Sequence, residues 1–174
     1  GSLSNVPYWA FVDWAGNLWA EARDESGSGA IYNLQLLYAY QWAAEMEAKI
    51  GLQDYANSYK AKAEQLKATI QRKYWNPTKK LYADTKDQNS YSQHVNALAI
   101  LTGMLNQDDM KTVANGMLND GSLTKCSVYF KYYLHQALVK AGLGNDYMQW
   151  LDIYRENMAM GLTTWAEYSD VNTS

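Results

Sequence analysis

The sequence contains few of the residues that mark several common kinds of functional site. Its 174 residues include one cysteine, Cys126, so no disulfide can form within the chain. No histidine lies near Cys126 in the sequence, and we interpret it as a small buried apolar residue rather than a nucleophile. The two histidines, His94 and His135, lie far apart without acidic residues at ligand spacing, which argues against zinc. No glycine-rich phosphate loop or Ser/His/Asp set is visible, and we expect neither a metal nor a cofactor.

Positive charge and long apolar runs are also scarce. Lys and Arg number 15 against 18 Asp and Glu, a net charge of −3, which provides no basic surface for nucleic acid or anionic lipid. No apolar run is long enough to cross a bilayer, and no signal peptide is recognisable. We therefore expect no nucleic-acid or membrane partner. The compartment stays undecided, with a periplasmic or secreted location slightly favoured over the cytoplasm.

Aromatic residues, by contrast, are abundant and unevenly distributed by type. They make up 14% of the chain, with 7 Trp and 15 Tyr but only 2 Phe. Trp and Tyr combine an apolar face with a polar group, which suits a surface that stacks on sugars and hydrogen-bonds their hydroxyls. The alternative is that they fill wide gaps between helices, and we expect most of them to do so.

Apolar spacing and capping motifs predict an all-α fold. Alternation of apolar and polar residues over 80–84 predicts a short extended segment between two of these helices. The predicted helices are an apolar helix over 30–50, an amphipathic helix from 53 to about 75, a helix opened by a Ser90–Gln93 capping box and ended at 102–104, a helix capped by 106–109 and running to Leu118, a helix starting at Ser127 or Val128 and ending at 141–143, and a helix capped by Asn145 and Asp146 and ending near Met160.

Glycines that stop helices mark an internal repeat of αα-hairpins. Gly51, Gly103 and Gly142 each follow an apolar helix and precede a hydrophobic residue and a short polar turn. Regular arrays of such hairpins form open solenoids that bind proteins, whereas irregular, aromatic-rich arrays fit a closed α/α toroid. The uneven spacing favours the toroid. Three hairpins make about half of an (α/α)6 ring, so we expect residues 1–174 to be a partial domain whose native N- and C-terminal parts are missing.

The segment 161–170 contains a carboxylate between aromatic residues. Glu167 lies close to Trp165 and Tyr168, and partial exclusion of water there would raise its pKa toward the range useful for proton transfer. The alternative is a capping box, in which Thr164 caps a helix and Glu167 bonds back to the Thr164 amide. The two roles can coexist.

Three stretches carry a resemblance to a known family. They are Phe11-Val12-Asp13-Trp14, the run from Phe130-Lys131-Tyr132-Tyr133 to Gly142, and Gly161 to Glu167. In these stretches and in its hairpin order, the chain resembles the catalytic α/α-toroid domain of bacterial α-L-rhamnosidases. The resemblance implies that Glu167 is the general base of an inverting hydrolysis and that Trp14 forms one wall of the sugar pocket. The family commonly has a bulky aromatic residue where this chain has Ala166, which bears on the pocket's shape there.

An inverting glycosidase needs a second carboxyl group, the general acid. In the family this acid lies in an acidic cluster upstream of the Phe-Val-Asp-Trp loop, and nothing in 1–9 resembles that cluster. We therefore expect the acid to lie outside this chain and the isolated chain to be inactive. Asp13, Glu21, Asp24 and Asp170 are available carboxylates, but none is assigned as the acid.

Four further residues are candidates for substrate binding, and three of them have a structural alternative. Asp13 is otherwise a hydrogen-bond acceptor within its loop, and His94 a structural hydrogen bonder at a helix start. Tyr129, at the start of a predicted inner helix, is otherwise a core residue. Trp165 flanks Glu167. The expected partner is a rhamnose-containing glycoside, self-association of the chain is a further expectation, and the competing class is a helical-repeat scaffold that binds proteins.

Overall fold

The computed structural model describes residues 1–6, 11–15 and 23–166. The helices of this part are α1 (Ala30–Lys49), α2 (Gln53–Tyr74), α3 (Gln93–Leu101), α4 (Gln107–Asn119), α5 (Lys131–Leu138) and α6 (Asp152–Ala159). A segment kinked at Gly142, Val139–Leu143, follows α5, and a 3₁₀ helix, Gly144–Leu151, leads into α6. Strands β1 (Trp75–Asn76) and β2 (Leu81–Tyr82) pair antiparallel, so the extended segment expected over 80–84 is confirmed. No helix in these ranges is both long enough and apolar enough to cross a membrane.

The helices form three αα-hairpins, as the glycine pattern predicts. Gly51, Gly103 and Gly142 have φ values of 86°, 69° and 91°, which lie in the left-handed region where a side chain is strained. Each glycine therefore lets the chain leave a helix sharply and reverse. The hairpins are α1 with α2, α3 with α4, and α5 with the 3₁₀ helix and α6.

The first helices of the three hairpins run parallel to one another. The Ala30 amide at the start of α1 bonds to the carbonyl of Asp84, whose side chain accepts from Ser92 at the start of α3, and Gln41 late in α1 bonds to Thr102 at the end of α3. In the same way, the His94 and Phe130 rings lie 4.5 Å apart where α3 and α5 begin. At the other ends of these two helices, the Lys140 amine donates to the Leu101 carbonyl at 2.7 Å. We call α1, α3 and α5 the inner helices.

The hydrophobic core lies between these helices and their partners. The residues of α3 from Gln93 to Ile100 are all buried, because α1, α4 and α5 pack around it. Full burial of one Leu or Ile side chain contributes about 1.5–3 kcal/mol. Cys126 is 2% exposed, and burial raises the pKa of its thiol, so its interpretation as a buried residue is confirmed. The largest fully buried side chains are Tyr74, Tyr82, Phe130, Ile31, Leu34, Leu37, Ile70, Leu98, Ile100, Met117 and Leu138.

Two predicted helix starts are wrong, and in both places a polar side chain bonds to a distant residue. The cap of α3 is Ser92, whose hydroxyl accepts from the Val95 amide, and not Ser90. Gln93 uses its side chain to bond Met117 and Cys126 instead of closing a capping box. Helix α5 begins at Lys131 rather than at Ser127 or Val128, after a turn over 128–130 in which the Lys131 amide bonds to the Ser127 carbonyl at 3.1 Å; the Ser127 side chain bonds to Asp13. Hydrogen bonds to distant residues therefore engage polar side chains that local spacing places at helix starts.

Two further expectations about helices need correction. Asn145 and Asp146 do not cap the last helix, because the chain passes through the 3₁₀ helix first and α6 begins only at Asp152. The apolar composition of the helix predicted over 30–50 implies burial on several sides, but Trp42 is 56% and Met46 is 61% exposed. These side chains lie on a face of α1 that no described residue covers.

Candidate functional site

The Asp13 carboxylate lies where α3 and α5 begin, and it is 1% exposed. Its Oδ2 lies 2.6 Å from Nε2 of His94, the second residue of α3. Ser127, just before α5, donates its backbone N–H to Oδ2 at 3.0 Å and its hydroxyl to Oδ1. The Trp14 N–H donates to Oδ1 at 2.9 Å. Burial raises the pKa of Asp13, but the hydrogen bonds from His94 and Ser127 lower it by more than burial raises it. The pKa therefore lies below the ordinary 3.8, and the group is ionised at neutral pH.

The His94 ring is completely buried between Asp13 and Phe130. Because the ionised Asp13 oxygen can only accept, Nε2 of His94 carries the proton. Its Nδ1 has no hydrogen-bond partner among the described residues. The structure thus brings two of the predicted site residues together as a buried pair. His94 is a hydrogen bonder at a helix start, as its structural alternative states, whereas Asp13 accepts mainly from residues outside its own loop. Direct contact of either with a sugar stays a prediction.

Two predicted site residues at this end of the molecule expose their rings. Trp14 is 41% exposed and packs against Phe11 with ring centroids 4.9 Å apart. Tyr129 is 59% exposed and meets Phe130 edge-on at 6.4 Å. Both rings are therefore accessible to a ligand while being supported from behind, and their role in binding stays a prediction.

An open cavity of about 420 Å³ lies against the inner helices, and all three contribute to its wall. Tyr38 and Trp42 of α1 line it with ring centroids 5.9 Å apart. Burial and the neighbouring Tyr129, Tyr132 and Tyr38 raise the pKa of Tyr133, so its hydroxyl stays protonated. The lining residues are Gln35, Tyr38, Ala39, Trp42, Leu98, Phe130 and Tyr133.

Sequence reasoning missed the Tyr38 and Trp42 pair as candidate site residues. The available signal was their four-residue spacing, which places them on one face of α1, but the same spacing was interpreted as a core face.

Asn157 of α6 holds the turn that follows this helix. Its backbone carbonyl accepts from the Leu162 amide at 3.1 Å, and its side-chain Oδ1 accepts from the Ala166 amide at 3.0 Å. Asn157 is 1% and Ala166 is 4% exposed, so the second bond is buried. Between them Gly161 has φ of 78°, which lets the chain reverse. No sequence motif marked Asn157.

Trp165 belongs to a second aromatic group, built on α5 and α6. Its ring is 54% exposed and meets Tyr154 edge-on at 5.1 Å. Tyr154, with Tyr132 and His135, lines a cavity of about 630 Å³. His135 is 8% exposed, which confirms that it is packed, and burial, with a smaller effect of nearby Lys131, lowers its pKa.

The predicted general base, Glu167, lies outside the described residues, and so do Asp170 and Glu21. The capping box that pairs Thr164 with Glu167 is therefore untested as well. What the structure describes is the chain up to Ala166, directly before Glu167.

Asp24, another of the carboxylates considered from the sequence, makes local structural bonds. Asp24 accepts hydrogen bonds from the amides of Ser26 and Ser28, and although burial raises its pKa, these bonds bring it below the ordinary value. No group of three His, Cys, Asp or Glu side chains in the described ranges could hold a metal ion.

Comparison with known proteins gives a family match and similar solved structures. The family model described as bacterial alpha-L-rhamnosidase 6 hairpin glycosidase domain matches residues 2–166. A rhamnosidase from Klebsiella oxytoca with rhamnose bound is 18% identical, with a TM-score of 0.74 over 90% of this chain and 29% of that one. A GH78 family rhamnosidase of Bacillus sp. GL1 is 22% identical, with a TM-score of 0.78 over 92% of this chain and 17% of that one. No curated protein matches significantly.

At these identities the structural likeness shows the fold, and the chain spans less than a third of either solved protein. The three hairpins with parallel inner helices and the six-hairpin family match together confirm the fold prediction. The chain forms part of an α/α toroid built from αα-hairpins.

Proposed function

The chain belongs to the bacterial α-L-rhamnosidase six-hairpin glycosidase domain family, and from this premise we propose that it is part of a glycoside hydrolase that removes terminal rhamnose from glycosides. The family match over 2–166 is the observation that carries the proposal. It also favours an enzyme over a protein-binding helical repeat. Because the chain spans less than a third of the two solved rhamnosidases, we propose that it is a partial domain of a longer protein.

Glu167 is proposed as the general base of an inverting reaction. In such a reaction the base activates water on one face of the sugar, and an acid roughly 6.5–9.5 Å away protonates the leaving oxygen. The anchoring of Ala166 by buried Asn157 supports this role, because it fixes the backbone directly before Glu167. The acid is proposed to lie outside this chain.

The ionised side chain of Asp13 is not proposed as that acid. Its pKa is below the ordinary value, whereas a general acid must hold a proton near neutral pH. Exposed Trp14 and Tyr129, and the aromatic cavity beside Tyr38 and Trp42, are proposed to contact the sugar. Aromatic faces pack well against the apolar faces of sugar rings.

The test is Glu167→Gln in the longer protein that contains this chain, with an aryl α-L-rhamnoside as substrate. A general base is worth about 10²–10⁴ in rate, so kcat should fall by that factor with little change in Tm. Azide, as a small external nucleophile, should restore part of the turnover.

Two controls separate catalysis from structure. Thr164→Ala removes the hydroxyl of the predicted cap and should change Tm more than kcat. Glu156→Gln makes the same chemical change on an exposed residue of α6 and should alter neither. Near-full kcat in Glu167→Gln would show that the assignment of the base is wrong.

A further inference from the structure

All hydrogen-bonding capacity of the Asp13 carboxylate is used within the protein. An ionised carboxylate offers about four acceptor positions. Oδ1 accepts from the Trp14 amide and the Ser127 hydroxyl, and Oδ2 accepts from the Ser127 amide and His94 Nε2. With its side chain buried as well, Asp13 has no free position for a substrate hydroxyl.

These four bonds join three segments that are far apart in the sequence. His94 is 81 residues from Asp13 and Ser127 is 114 residues from it. The segments carry exposed aromatic rings close to the bonded groups, since Trp14 follows Asp13 directly and Tyr129 lies two residues after Ser127. The carboxylate therefore fixes the backbone beneath both rings at once.

The ring of Phe130, next to the start of α5, contacts both the buried pair and one of the exposed rings. It packs on His94 at 4.5 Å and on Tyr129 at 6.4 Å, so the buried pair and an exposed ring share one support. A change at the carboxylate is therefore transmitted to both exposed rings by direct contacts.

We propose that Asp13 is a positioning residue, which sets the spacing of Trp14 and Tyr129 so that the two rings contact one sugar and does not touch the sugar itself. The identity of the ligand as a sugar rests on the proposed function. A carboxylate is needed rather than an amide, because the NH₂ of Asn would face a donor in either orientation: the Trp14 amide at the Oδ1 position, or the Ser127 amide and the Nε2–H of His94 at the Oδ2 position. Histidine can change its tautomer to relieve that conflict, but a backbone amide cannot.

The test uses the chain labelled with 5-fluorotryptophan and followed by fluorine NMR, with the Trp14 signal assigned from Trp14→Phe. In Asp13→Asn we expect the Trp14 signal to shift and broaden. The matched control is Asp84→Asn, since Asp84 is also a buried carboxylate bonded to a serine hydroxyl, that of Ser92 at 2.6 Å. Asp84→Asn should lower Tm by about as much as Asp13→Asn and leave the Trp14 signal unshifted. An unmoved Trp14 signal in folded Asp13→Asn, or an equal shift in Asp84→Asn, would overturn the proposal.

Ser127→Ala covers the case in which Asp13→Asn does not fold. It removes only the hydroxyl that shares Oδ1 with the Trp14 amide, and we expect a smaller shift of the same signal. An unchanged Trp14 signal in Ser127→Ala contradicts the positioning role.

Kinetics of the longer protein give the second measurement. Asp13→Asn should raise KM several-fold and lower kcat less, because displaced Trp14 and Tyr129 rings weaken binding of substrate and transition state alike. Equal Tm losses with unchanged KM would mark Asp13 as merely structural. If the unmodified protein cleaves no rhamnoside, the proposed function fails, while the fluorine spectra still decide whether Asp13 positions Trp14.

Discussion

Removing the Asn157 side chain should release the segment that leads to Glu167. Asn157→Ala deletes the acceptor of the Ala166 amide and the donor to the Ile153 carbonyl, bonds of 3.0 and 2.7 Å. The Ala166 amide is buried, and a buried donor without a partner costs about 1–3 kcal/mol. At about 2–4 °C per kcal/mol for a chain of this size, a loss near 2 kcal/mol lowers Tm by about 4–8 °C.

Asn157→Asp is the comparison variant, because it keeps an oxygen that can accept from the Ala166 amide, while it loses the donor to the Ile153 carbonyl and adds a negative charge. Hydrogen exchange measured by NMR at the Ala166 amide separates the two variants. Protection at Ala166 should be lost in Asn157→Ala and kept in Asn157→Asp. The Leu162 amide is an internal reference, because it bonds to the backbone carbonyl of Asn157, which neither variant removes.

Activity of the longer protein then links this bond to catalysis. If the Ala166 bond fixes the backbone before Glu167, kcat should fall more in Asn157→Ala than in Asn157→Asp at temperatures where both are folded. Unchanged protection of the Ala166 amide in Asn157→Ala would refute the reasoning, because the bond would then not hold the segment. Equal kcat in the two variants would show that the bond between the Ala166 amide and the Asn157 side chain does not affect catalysis.

Of three further predictions, two concern the chain as a whole and one concerns Asp13. The purified chain should release no more product from an aryl α-L-rhamnoside than buffer does, because only one of the two required carboxyl groups is expected in it; robust turnover would contradict this. The chain should self-associate in light scattering and bind a dye for apolar surface, because Trp42, Met46, Tyr132 and Val139 are all more than half exposed. A strictly monomeric species that binds no dye at high concentration would count against this prediction. Because the pKa of Asp13 is lower folded than unfolded, its contribution to stability is present above about pH 4 and is lost as pH falls through the folded pKa. Tm should therefore decline more steeply on acidification in the unmodified chain than in Asp13→Asn, and parallel declines would contradict that account.

The parts of the fold that local sequence determines were predictable. A glycine with positive φ ends a helix wherever a hydrophobic residue and a polar turn follow it, so Gly51, Gly103 and Gly142 located the three hairpins. Asn106 was likewise identified as a cap, and its side chain accepts from the Asp109 amide at 2.9 Å. In these cases all the interacting groups lie within a few residues of one another.

Prediction failed where a polar side chain had a choice between a local and a distant partner. Spacing assigned Ser90 and Gln93 to a capping box, but Gln93 bonds to Cys126, 33 residues away. Spacing also started α5 at Ser127 or Val128, but the Ser127 side chain bonds to Asp13. A distant acceptor is invisible to periodicity, because its position depends on the packing of whole helices.

The same reasoning explains why the candidate site was only partly predictable. Residue type alone made Asp13 a plausible hydrogen-bond acceptor, but only the assembled inner helices show that His94 and Ser127 supply the donors. Asn157 gave no signal, since its role depends on a turn that returns the Ala166 amide to α6. Both residues act on the backbone next to a proposed functional side chain and use all or most of their polar atoms in doing so. Buried polar groups of this kind are expensive to leave unpaired, so the bonds that organise the site also contribute to folding. A substitution at either position therefore has to be followed by a local probe as well as by Tm, because a loss of stability alone would not distinguish the two roles.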